Sequence, residues 1–108
     1  MTGHYILDGK EPVEVSDIMT WATQFEMTDR IVEQTTIGQV RVSTVFLGLD
    51  HQFGDGPPLL FETMVFGGEH DQEQWRYSTW DEAVAGHAAA VESVGYGAAP
   101  EDRDKGDK

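Results

Sequence analysis

Two β-prone apolar runs, Val40 to Leu49 and Leu59 to Phe66, flank one glycine- and proline-rich connection, Asp50-His51-Gln52-Phe53-Gly54-Asp55-Gly56-Pro57-Pro58. This arrangement limits the chain more than any other feature. The runs carry valine, threonine and phenylalanine, the residue types that suit a pleated, half-buried surface. The connection is full of turn formers and is longer than a tight hairpin needs. It therefore predicts a functional loop on a rigid sheet.

The flanking segments extend the same pattern. Arg30 to Thr36 reads as a strand, Ile37-Gly38 as a turn, and Gln39 to Leu49 as the return strand. On the return strand Val40, Val42, Thr44 and Phe46 share one face, and Arg41, Ser43, Val45 and Leu47 the other. Leu59 to Phe66 follows as a third strand. After the polar turn Gly67 to Asp71, Gln74 to Ser78 is a short fourth strand, with Trp75 and Tyr77 opposite Arg76. His4 to Val15 reads as a short strand pair or an extended lead-in around Asp8-Gly9-Lys10.

Two helices complete the chain. Ile18, Trp21, Ala22 and Phe25 fall at helical spacing, which predicts a helix over 17–27 with Ser16 as its cap. Thr79-Trp80-Asp81-Glu82 matches a capping box. The helix it opens is expected to end near Val94, with Gly95 in the left-handed position beyond. The fold class is α+β: a small antiparallel, meander-like sheet of four to five strands with both helices packed on it. Residues 1–96 form the single domain, and 97–108 a disordered charged tail.

Charge narrows function. Twenty acidic and seven basic residues give a net charge of −13, and residues 1–98 hold only Lys10, Arg30, Arg41 and Arg76 against 16 acids. Direct nucleic-acid binding is disfavoured and basic partner surfaces are favoured. There are no cysteines, so neither disulfides nor thiolate metal sites arise. No apolar run approaches the ~20 residues of a bilayer span, and no basic n-region precedes an apolar core. A soluble, cytoplasmic protein without cofactor or membrane attachment is expected.

Chemistry has few candidates. Asp50 and His51 would suit a general base, although adjacent residues on an extended chain point apart and no nucleophile motif accompanies them. Glu69-His70-Asp71-Gln72-Glu73 is rich in metal-ligand types but lacks their spacing, so no metal site is assigned. His87 reads as a partly buried helix residue. Glu62 interrupts an apolar strand, so it either faces water or pairs with Arg41 or Arg76. The second case predicts a polar pocket of Arg41, Glu62 and Arg76 walled by Phe53 and Trp75, suited to a small polar or nucleotide-like ligand.

The segments Arg41 to His51 (RVSTVFLGLDH) and Gly56 to Gly68 (GPPLLFETMVFGG) resemble a family of small uncharacterised proteins encoded in bacteriophages and prophages. The likeness extends from Tyr5-Ile6-Leu7-Asp8-Gly9 through Met19-Thr20-Trp21 and Phe25-Glu26 to Tyr77 to Ala83 and Gly86-His87. It implies a phage accessory protein acting in the bacterial host, and carries no catalytic residues over. The leading expectation is a non-enzymatic binder of a host component, a host protein or a small polar ligand, in a host-takeover or anti-defence role. Alternatives are capture of a small ligand, a hydrolase using His51, and a self-assembling protein whose runs 45–49 and 59–66 form a homodimer face.

Overall fold

The computed structural model describes residues 3–52 and 54–98, with side chains through Gly95. The order is β1 (Tyr5–Asp8), β2 (Glu11–Glu14), α1 (Ile18–Met27), β3 (Ile31–Ile37), β4 (Val40–Phe46), β5 (Phe61–Phe66), β6 (Gln74–Tyr77) and α2 (Trp80–Ala98). It is an α+β fold. The strands divide into an antiparallel hairpin, β1-β2, and a four-stranded antiparallel meander, β3-β4-β5-β6.

Turn chemistry sets the register. Gly9-Lys10 closes β1 on β2, with Asp8 opposite Glu11. Gly38-Gln39 closes β3 on β4, with Ile37 opposite Val40. In the centre Val42, Thr44 and Phe46 face Val65, Thr63 and Phe61 across the β4-β5 pair. These side chains are all fully buried, because α2 lies across this face of the sheet. Among the described residues no helix packs across the other face, where Ser43 is buried and Val45, Glu62 and Met64 are half-buried.

The core has two parts. Val40, Val42, Val65, Ala90 and Val94 form an aliphatic cluster. Phe46, Leu60, Phe61 and Ala83 form a second, joined by Tyr5, Leu7, Phe25 and Trp80. Of the apolar runs predicted as a homodimer face, Phe46, Leu60, Phe61 and Val65 are buried inside the chain, whereas Leu49 and Phe66 are exposed. Helix α1 departs from the expected packing: its main neighbour is β1, and it reaches the large sheet through Phe25, whose ring lies 6.4 Å from that of Phe46. Gly48 makes this approach possible. It has φ +76°, and a Cβ there would stand 2.3 Å from the Phe25 ring.

Both helix boundaries near α1 and α2 differ from expectation. The cap of α1 is Asp17 rather than Ser16, and the Asp17 carboxylate accepts the Thr20 hydroxyl proton. That bond lowers the Asp17 pKa. Helix α2 begins at the predicted capping box but continues through Gly95 to Ala98. Packing of Val91 and Val94 on the aliphatic cluster carries the last turns past the glycine, overriding its weak helix propensity. The predicted tail lies, from residue 99, outside the described residues.

Candidate functional site

The residues predicted to form a polar pocket separate. Glu62 and Arg76 do meet: they are cross-strand partners on the face away from α2, and Arg76 Nε donates to Glu62 Oε2 at 3.0 Å. Glu62 is 14% exposed, so its carboxylate is compensated rather than solvated. Arg41 shares that face but lies opposite Phe66, four residues from Glu62 along β5, or ~13 Å of strand. Its guanidinium sits over the Phe66 ring at 4.6 Å. Trp75 is opposite Thr63, so it belongs to the helix-covered face, away from all three. Phe53 lies outside the described residues.

Asp50 and His51 form no base–carboxylate couple. Asp50 Oδ1 accepts the amides of Gln52 at 2.8 Å and Leu59 at 3.0 Å, bracing both ends of the 50–58 connection. The turn after β5 is likewise self-satisfied. Asp71 accepts the Gly67 amide and Glu73 meets His70 Nδ1 at 3.0 Å. Among the described residues no three His, Asp or Glu side chains gather as metal ligands.

Among the described residues a buried polar cluster built on a titratable side chain, His87, lies under α2. His87 is 1% exposed, between Ala83 of the aromatic cluster and Ala90 of the aliphatic one. Its Nδ1 is 2.7 Å from Thr44 Oγ1 and its Nε2 is 2.9 Å from Thr35 Oγ1. Thr44 bonds Thr63, which also accepts the Tyr77 hydroxyl at 3.1 Å. A hydrogen on Nε2 gives the Tyr77, Thr63 and Thr44 hydroxyls an acceptor each: Tyr77 donates to Thr63, Thr63 to Thr44 and Thr44 to Nδ1, while Thr35 accepts from Nε2. Burial pushes the His87 pKa down, and Glu33, 4.0 Å from Nε2, opposes it. With His87, Thr44 and Thr63 buried, this layer ties β3, β4, β5, β6 and α2 together.

Three of the four cations in the described residues lie on aromatic rings. Arg30 is 4.7 Å from the Phe25 centroid, Arg41 4.6 Å from Phe66, and Lys10 5.8 Å from Trp80. The fourth, Arg76, is paired with Glu62. By contrast Glu11, Glu26, Asp55, Glu69, Asp81 and Glu92 are exposed and make no side-chain hydrogen bond or ion pair among the described residues.

A cleft of about 570 Å³ separates the β1-β2 hairpin from the start of α2. Tyr5, Pro58 and Trp80 supply apolar walls, and Lys10, Glu11 and Asp81 charge. Backbone bonds from Tyr5 to Gly48 at 2.8 Å and from Asp50 to Gly3 at 2.9 Å hold the hairpin in place. The Trp21 indole donates to the Tyr5 carbonyl at 2.9 Å. Across the cleft, Thr79 Oγ1 accepts the Glu82 amide at 3.1 Å while Glu82 Oε1 accepts the amides of Ser78 and Thr79. Sequence reasoning missed this cleft, since its walls come from three distant segments.

No protein-family model, curated protein or solved structure matches the chain. Among the described residues no helix is long and apolar enough to cross a membrane.

Proposed function

We propose that this chain is a non-enzymatic binding protein that offers a polyanionic surface to a basic face of a partner protein. The carrying observation is the disposition of charge. The cations of the described residues are engaged by the chain's own rings or carboxylate, whereas many acids point to water with no internal partner. A field of one sign steers association with a basic surface and repels phosphates. The resemblance to phage and prophage proteins supports a host factor as the partner and the host cytoplasm as the setting. A basic nucleic-acid-binding site is the surface that best complements such a field.

Displacement tests this reading. The full chain is titrated into a complex of labelled duplex DNA with a basic, sequence-nonspecific DNA-binding protein, and anisotropy is followed at several salt concentrations. Release of DNA that weakens steeply as salt rises is the expected result. No release at low salt, or release indifferent to salt, overturns the proposal. Reversal of Glu26, Glu69 and Glu92 to lysine should raise the concentration needed. All three are exposed, so the fold should be spared.

A further inference from the structure

We propose that the cleft between the β1-β2 hairpin and the start of α2 is the seat for one basic side chain of a protein partner. Its arginine or lysine would lie on the Trp80 indole between Glu11 and Asp81. The inference rests on the reading of the chain as an acidic binder and names where the contact is made.

The cleft has the parts a cation needs. An indole is the best aromatic face for a cation. Glu11 and Asp81 line the same space and have no cation within 4.0 Å among the described residues. Pro12 and Pro58 border it and give the methylene stem of a long side chain an apolar surface. The volume, about 570 Å³, holds a side chain with a short piece of its backbone.

An anion fits less well, although a helix begins here. The positive end of α2 already faces carboxylates of its own, because Asp81 and Glu82 occupy the first turn. Glu82 also takes the Ser78 and Thr79 amides, and the Thr79 hydroxyl takes the Glu82 amide. The hydrogen-bond donors that would hold a phosphate are thus largely satisfied from within.

Lys10 shows what the seat attracts. Its ammonium stands 5.8 Å from the Trp80 centroid, near the outer limit for such a contact, and reaches neither carboxylate. It is an internal, loosely held occupant. A guanidinium entering from outside can stack closer and bond the carboxylates with its planar fork.

The test uses a short peptide with two arginines, its glutamine counterpart and inorganic phosphate, each added to the ¹⁵N-labelled full chain. The Trp80 indole N–H signal is assigned with Trp80→Phe. The arginine peptide should move that signal saturably and the glutamine peptide should not. Glu11→Gln with Asp81→Asn should weaken binding about tenfold, as expected for loss of charge-assisted contacts. Lys10→Ala should tighten it several-fold by removing the internal competitor. A response to phosphate in place of the peptide overturns the inference, as does peptide binding unchanged in the double variant. If the double variant still displaces DNA in a salt-dependent way, only the cleft assignment falls. If the native chain neither displaces DNA nor binds the peptide, both readings fall.

Discussion

Replacement of His87 by glutamine should remove a pH dependence of stability that the imidazole imposes. In the folded chain burial holds this group below its ordinary value of 6.5, with the charge of Glu33 facing it as the weaker, opposing influence. Its other neighbours are the neutral hydroxyls of Thr35 and Thr44, with Thr63 and Tyr77 behind. The unfolded chain takes up the proton near its ordinary pKa, and the folded chain resists until lower pH. Between these two points the unfolded state holds more protons, so stability falls as pH falls. Above the unfolded value the contribution is complete. Below the folded value the slope from this group vanishes. The steepest slope one proton allows is about 1.4 kcal/mol per pH unit. Urea unfolding followed by tryptophan fluorescence, from about pH 8 to about pH 5, would measure it. The ionisable groups remote from position 87 are common to both proteins, so the difference between the two profiles isolates His87 and its coupling to Glu33. Parallel profiles would refute the reasoning. At the upper end of the range His87→Ala should cost about 2–4 kcal/mol, from two lost hydrogen bonds and the space left behind.

Gly86→Ala should destabilise the fold despite better helix propensity, because a Cβ there would stand 2.2 Å from the Tyr77 ring and hydroxyl; urea unfolding should show a loss of about 1–3 kcal/mol. A double-mutant cycle on Glu62 and Arg76 should return a coupling of no more than about 1 kcal/mol, since the pair is partly exposed. Asp50→Ala should leave the sheet intact and speed hydrogen exchange at the Leu59 and Gln52 amides, which lose their shared acceptor.

The central meander was legible in the sequence because its cues are local. Gly38 turns β3 into β4, alternation assigns Val42 and Phe46 to one face, and Trp75 and Tyr77 oppose Arg76 as their spacing requires. The Thr79–Glu82 box marks the start of α2 for the same reason. The sequence leaves Glu62 either facing water or pairing with Arg41 or Arg76, and cross-strand register brings it to Arg76. What failed depended on long-range placement. Nothing local shows that Arg41 and Glu62 lie at different heights of the sheet, or that Gly95 is carried along by the packing of Val94. The polar layer left a faint trace: Thr35, Thr44 and Thr63 sit at inward positions of three strands, where valine would be ordinary. Their register, and hence their meeting with His87, emerges only once the strands pair.

The hairpin and α1 are held to the rest of the chain differently from the meander. They join through a few backbone bonds near Gly48, the packing of Tyr5 and Leu7 on the aromatic cluster, and a row of rings, Trp21 to Phe25 to Phe46, whereas β3 to β6 share paired ladders and a helix across their face. Residues 5–27 are therefore expected to open at a lower free energy than the sheet beneath them, which faster amide hydrogen exchange in this segment would show. One wall of the cleft at Trp80 belongs to that segment and the other to the stable body. Widening the cleft to admit a bulky partner then requires only a sub-global opening, and the sheet, its polar layer and α2 stay folded while it happens.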